Sequence, residues 1–393
     1  FGSLIAVKNW KDIWLSKGFA RYFSELYDEY KNGRDEFLLY QRSFDIGSCL
    51  GDWNAGIRQP IVSSDDETAL SSISGNFPYL RAAVMLHMLR KQLGESRWQK
   101  TIRHYVRSNA GKVVVTADFK NAVKEAAGED MDWFFDQWLL KTGHPVFEIS
   151  KQYNTRSKEL KITVKQVQQI DAADRGLHAG FFKGKVDIEV DGSIKQLWLE
   201  AKPENTFIIK TAVKPALVNF DYESAWIKEL KFEKPLDELL YQFQYGRDIT
   251  GRSWAMNELA VLAGKLTTTA ETKARIYNAF RKVILGNSYW RFRASAVSRL
   301  QNLLTTASGK DPLVLDDLTA AMLLRVIKTE KYWLKSAALR FLGITKDKKY
   351  ADTYLSCLYD SSDRVVNSAA IALGMCRSEK AFNALINLKS KTS

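Results

Sequence analysis

Histidine and cysteine are the side chains best suited to holding a transition metal, and here their spacing argues against a self-contained site. His87, His104, His144 and His178 never fall four apart, and Cys49, Cys357 and Cys376 include no Cys-x-x-Cys pair. An odd, dispersed cysteine count also excludes a complete disulfide framework. Asp65-Asp66-Glu67 could bind a cation or a substrate amine, although an acidic triplet in a Gly/Ser/Asp-rich stretch reads first as a solvated turn. His87, among Val84, Met88 and Leu89, reads as a structural histidine of an apolar helix. Lys17, Arg21, Glu25 and Asp28 recur at three- and four-residue spacing, the signature of a solvated, charge-paired helix face. Trp10, Trp14, Trp133 and Trp138 read as core or cleft wall rather than a base-stacking platform. Arg291, Arg293, Arg299, Lys335 and Arg340 lie near aromatics, but no nucleic-acid motif accompanies them, so nucleic acid is disfavoured as a partner.

The elements that must position these residues fall into three regions along 393 residues. With 46% hydrophobic and 26% charged residues the chain is neither disordered nor fibrous. A net charge of +13 permits an acidic partner without requiring one. No apolar run reaches the roughly 18 residues of a membrane span. The opening Phe-Gly-Ser-Leu-Ile has neither an initiator Met nor a signal-peptide layout, and reads as a start inside a longer sequence, so no location is assigned.

Residues 1–143 carry a helical period. Asp12 precedes a stripe of Trp14, Gly18, Phe19, Tyr22, Phe23, Leu26, Tyr27 and Tyr30, and 51–76 reads as a long ordered loop. Pro78 starts a second helix with Tyr79, Ala82, Ala83, Leu86, Leu89 and Leu93 on its apolar face and Gly94 at its end. Helices around 96–108, 117–127 and 131–141 follow. In 144–234 the period becomes two. Leu160, Ile162 and Val164 alternate with lysines and threonine, Val186, Ile188 and Val190 alternate with Asp187 and Glu189, and Asp191-Gly192 predicts a hairpin into 194–199. At least six short strands predict a small antiparallel β-sandwich. In 235–393 the helical period returns and repeats. Trp254…Leu259-Ala260-Val261 matches Trp290…Ser295-Ala296-Val297, and the Ala recurs as Ala338 and Ala370. About four stacked helix pairs of HEAT-like type, an α-solenoid, are predicted, with those alanines facing inward. This region holds 24 Lys and Arg against 14 Asp and Glu, which offers a basic surface to an acidic partner.

Trp14-Leu15-Ser16-Lys17-Gly18-Phe19-Ala20 resembles the Trp-Leu-Asn-Glu-Gly-Phe-Ala segment of the aminopeptidase N family of gluzincin metallopeptidases. Phe1-Gly2-Ser3-Leu4 resembles the Phe-Gly-Asn-Leu that trails that family's HExxH helix. Tyr79-Leu80-Arg81-Ala82-Ala83 is similar to its Tyr-x-Lys-Gly-Ala, and Asp132-Trp133-Phe134…Trp138…Gly143-His144-Pro145 to the end of its catalytic domain. The resemblance implies a multidomain α+β fold: the helical half of a thermolysin-like catalytic domain, the sandwich, then the solenoid. It also implies that the HExxH helix would lie just upstream of Phe1.

In that family zinc held by two His and one Glu activates water, and a Tyr hydroxyl donates to the oxyanion. The resemblance places Lys17 at the ligand Glu and Tyr79 at the oxyanion tyrosine, on a helix start whose dipole favours a developing anion. An ammonium has no lone pair to offer a metal. The chain is therefore expected to hold no zinc itself and to act as a peptide- or protein-binding scaffold, with Lys17, Arg21 and Arg81 lining the vestigial cleft. The alternative is a zinc-dependent aminopeptidase whose HExxH lies upstream. A basic HEAT adaptor for acidic partners is the third reading.

Overall fold

The computed structural model describes residues 2–63, 75–170, 177–308 and 313–391. Two compact units emerge, residues 1–235 with 247–251, and residues 236–246 with 252–393. The helical and strand regions thus share the first unit. Among the described residues no helix is long and apolar enough to cross a membrane.

The first unit begins with a short strand, β1 (Ala6–Val7), parallel to β2 (Val113–Val114), a pairing that two-residue strands leave invisible in the sequence. Helix α1 (Trp14–Asn32) buries Trp14, Leu15, Gly18, Phe19 and Tyr22. Tyr27 and Tyr30, expected on the same stripe, are exposed, because the stripe turns outward toward the helix end. Asp12 does not cap α1. It accepts instead from the Thr116 amide at 2.7 Å and hydroxyl at 2.6 Å, holding the start of a distant helix, Thr116–Ala127. Phe19 stacks on Tyr105 and meets Phe119 edge-on at 5.1 Å, and with Trp14 these rings form the core of the helical region.

A helical run over Arg34–Glu36, Phe37–Arg42 and α2 (Ser43–Asn54) follows, which the sequence reading did not anticipate and which shortens the expected loop at 51. Asp65-Asp66-Glu67 lies outside the described residues. The next helix opens as a wide turn at Phe77–Arg81, where the Arg81 amide reaches back to the Asn76 carbonyl, and continues as α3 (Ala82–Leu93). Helices α1 and α3 cross at Gly18. A β-carbon built there would lie 2.5 Å from the Ala82 Cβ, so the crossing admits one methyl group and no second.

The strands form two sheets. One orders Glu204–Lys210, Glu159–Gln166, Val146–Asn154 and Glu229–Phe232; the other orders Ser193–Leu199, Gly184–Val190 and Val218–Phe220. Within these two sheets the described pairings are antiparallel except Val146–Ile149 with Glu229–Phe232, which is parallel because the returning chain enters beside the strand it left from. The Asp191-Gly192 hairpin forms with both residues at positive φ, 46° and 81°. Leu160, Ile162, Val164, Val186 and Ile188 are buried, as alternation predicts. Glu189 breaks that alternation: it is buried against Asn219, and burial raises its carboxyl. Three buried glutamine side chains, Gln166, Gln137 and Gln92, each make two bonds to the backbone of Phe182, Lys183 and Lys185, joining sheet to helices without leaving an amide unpaired.

The second unit is helical throughout its described residues, with Leu236–Tyr245, most of Ile249–Gly264, Ala270–Leu285, Trp290–Ser308, Asp317–Thr329, Tyr332–Gly343, Ala351–Cys357, Asp363–Cys376 and Glu379–Lys391. Ala296 and Ala338 are fully buried, whereas Ala260 and Ala370 are only half-buried; the sealed small residues of those helices are Ala255, Ala263, Ala369 and Ala372. The expected register is therefore displaced in two of the four copies. Helices Tyr332–Gly343 and Asp363–Cys376 approach closely, with Ser336 and Ser368 hydroxyls 2.8 Å apart and Gly343 against Ala372.

Replacing Gly18 by Ala should destabilise the chain by about 1–3 kcal/mol through overpacking at the α1–α3 crossing. Adding Ala82→Gly should recover most of that loss, since the nearest remaining backbone atoms lie 3.4 and 3.5 Å away. Equal denaturation midpoints for Gly18→Ala and the double variant would show that the crossing relaxes by another route.

Candidate functional site

The Gly18–Ala82 contact decides which side chains meet. One residue before Gly18, Lys17 is half-buried; one turn later on the same face stands Arg21, whose guanidinium carbon is 5.9 Å from the centre of the Tyr79 ring. Tyr79 is 41% exposed and so does not begin the apolar stripe of its helix. The wide turn at Phe77–Arg81 accounts for this, because it shifts the angular position of each residue relative to a regular helix. The same shift turns Arg81 inward. At 3% exposure, with Nη2 donating to the Gly143 carbonyl at 2.7 Å, Arg81 is a structural residue and not a wall of the cleft. Its burial pushes its pKa below the usual range, opposed by Cys49 and Asp52 nearby. Lys17, Arg21 and Tyr79 are thus brought together, and Arg81 is not.

Beneath them lies a buried carboxyl pair, one member of which, Glu25, the sequence placed on a solvated face. Glu25 and Asp45 are both fully buried. Arg21 aims Nη2 and Nε at Asp45, at 2.6 and 3.2 Å. Its Nε also lies 2.9 Å from Glu25 Oε1, yet neither Glu25 oxygen receives a hydrogen bond from an N–H. Burial, then the adjoining Asp45, raise the Glu25 carboxyl to about 9, with Arg42 and Arg21 opposing. Glu25 is therefore the member of the pair that favours keeping its proton. Burial works against the charge on Arg21, but the Asp45 bond and the surrounding anions hold its pKa above the usual value. Arg42 is buried here too, and its nitrogens find no hydrogen-bond partner among the described residues.

His87 is a core residue, as expected. Burial and then Arg42 depress it far below the usual histidine range, and its Nδ1 shares a hydrogen bond with the Tyr22 hydroxyl, 3.1 Å away. Trp14 and Trp138 are buried, Trp133 packs edge-on against Trp198, and Trp10 is 46% exposed. Acidity in the helical region missed by sequence reasoning is thus Asp45; only its pairing with Arg21 across α2 reveals it.

The donor set does not suit zinc. An ammonium stands at the motif's ligand position, the nearest buried carboxyls are committed to Arg21 and to each other, and among the described residues no three His, Cys, Asp or Glu side chains group as a metal site. What the arrangement offers is the Tyr79 phenol beside a guanidinium fixed by Asp45, with the Lys17 ammonium one turn earlier on the Arg21 helix. Those are donors for an anionic or carbonyl oxygen.

Comparison with known proteins shows what the chain is similar to. Residues 1–138 match the family described as Peptidase family M1 domain. Tricorn protease-interacting factor F2 of Thermoplasma volcanium is 26% identical over 155 residues, which is 39% of this chain and 20% of that protein. Probable aminopeptidase 2 of Sulfurisphaera tokodaii is 26% identical over 229 residues, 56% of this chain and 27% of its own length. In fold, the chain is similar to aminopeptidase A of Legionella pneumophila, crystallised with aspartic acid, at a TM-score of 0.71 and 15% identity over 98% of this chain and 48% of that one. The chain therefore spans less than half the length of the proteins it matches.

The Glu25 proton predicts a pH dependence. The folded chain keeps that proton up to about 9, whereas the unfolded chain releases it in the ordinary carboxylate range. Its stabilising contribution is full below that range and is lost as pH rises toward about 9, with a slope of at most about 1.4 kcal/mol per pH unit. Urea melts between pH 5 and 9 should show stability falling with pH, and Glu25→Gln should flatten the curve. An unchanged slope in Glu25→Gln would assign the proton elsewhere.

Proposed function

Because residues 1–138 match the family described as Peptidase family M1 domain, we propose that this chain is an aminopeptidase N-like homologue whose cleft binds a peptide or protein segment without zinc. The observation that carries the proposal is Lys17, a cation at the motif's metal-ligand position, beside Arg21 and the exposed Tyr79. A positive charge there opposes a dication but attracts a carboxylate. Arg21, neutralised by Asp45, acts as a rigid wall beside it. Tyr79 donates its hydroxyl to a peptide oxygen, and Lys17 pairs with the anionic terminus or an acidic side chain of the bound segment. No step of this binding passes through a metal. The relatives named as aminopeptidases support the second reading, a zinc aminopeptidase in which another carboxylate replaces the ligand at Lys17.

A peptide library assayed by calorimetry against the chain tests the proposal. Peptides with a free carboxyl terminus should bind, and amidation of the peptide or Lys17→Glu should each weaken binding by about tenfold, roughly 1.4 kcal/mol. Lys17→Glu should not alter the melting temperature by more than a surface substitution does. One zinc per chain after dialysis, with hydrolysis of an aminoacyl reporter, would replace the scaffold reading with the enzymatic one.

A further inference from the structure

Three helices of the second unit begin with side chains that stack on one another. Trp290 heads Trp290–Ser308, Trp333 lies one residue into Tyr332–Gly343, and Arg364 one residue into Asp363–Cys376. The two indoles are stacked with centroids 5.5 Å apart and planes 26° from parallel. Arg291 lies 4.4 Å from the Trp290 centroid and 5.9 Å from that of Trp333. The Arg364 guanidinium lies flat on Trp333 at 3.4 Å. This is not core: Trp333 is 43% exposed, while its neighbour Leu334 is buried. An indole pair kept at the surface with two guanidiniums on it forms a ridge with a defined chemistry.

We propose that this ridge is a docking surface for an acidic peptide segment of a partner protein. The rings do not offer free stacking faces of the kind a nucleobase needs, since Trp333 is covered by Trp290 and Arg364, and Trp290 also adjoins Tyr289. What is exposed is the Arg364 guanidinium. Arg364 makes no hydrogen bond or ion pair among the described residues. Arg291 donates Nε to the Tyr289 hydroxyl at 3.1 Å. The local carboxylates are already used: Glu330 by Arg293 at 2.6 Å and Asp360 by Lys335 at 2.7 Å; Asp363 sits in the first turn of its own helix. A guanidinium held flat on an indole has lost most of its rotational freedom before binding, so its planar fork is preset for a carboxylate. The surrounding 235–393 adds a surplus of ten positive charges that draws in an acidic segment.

The test uses the whole chain, with an eight-residue, C-terminally amidated poly-Glu peptide as probe, followed by tryptophan fluorescence and calorimetry at low salt. The peptide should bind, shift indole emission and weaken with added salt. Arg364→Ala should reduce affinity about five- to tenfold, Arg364→Lys should restore only part of it, and Arg299→Ala, an exposed basic residue off the ridge, should change nothing. Lys17→Glu should bind this probe as the parent does, which separates the ridge from the cleft of the first unit. Absence of binding at low salt overturns the proposal. So does an equal loss on Arg299→Ala, which would make the attraction diffuse, or tighter Arg364-dependent binding of an oligo-dT probe, which would make the ridge a nucleic-acid site.

Discussion

The first unit depends on one close approach. Where α1 crosses α3, Gly18 gives up its side chain so that Ala82 can occupy the gap. Helices separated by a single methyl group bring their backbones near enough that neighbouring side chains have no choice of partner. Arg21 must then stand beside Tyr79, and Phe19 must enter the ring cluster of Trp14, Tyr105 and Phe119. The resembling family carries Gly where this chain has Ala82, so the methyl sits on one helix only, and the other helix cannot add one.

Beneath that crossing the chain buries charge, which is costly unless each group is paired or neutralised. Asp45 is paired with Arg21, and Glu25 is neutralised by a proton instead of by a cation. This division explains why Arg21, although close to Tyr79, is not available to a ligand: its N–H groups are aimed at Asp45.

In the second unit small residues play the part that Gly18 plays in the first. Ser336, Ser368, Gly343 and Ala372 let two helices approach, and the buried serine pair satisfies its own polar atoms. The close packing sets the helix starts side by side, and that spacing stacks Trp290, Trp333 and Arg364. The same repetition that buries Ala296 and Ala338 therefore also arranges an exposed cationic ridge.

Sequence alone determined the order of helical, strand and helical regions, because periods of 3.6 and 2 are local properties of the chain. It determined the Asp191-Gly192 hairpin, since only residues tolerant of positive φ fit such a turn. The tertiary structure decided the rest, for reasons that no local window contains. A wide helical turn at Phe77–Arg81 rotated Tyr79 outward and Arg81 inward, against the regular period by which both were read. Glu25 looked like a member of a solvated face until α2 brought Asp45 against it and excluded water. Ala260 and Ala370 obeyed the repeat in spacing but not in burial, because irregular offsets turn successive helices by different amounts. Periodicity states which side of an element is apolar; only packing states which neighbour it meets, and it is neighbours that set charge, protonation and the surface left for a ligand.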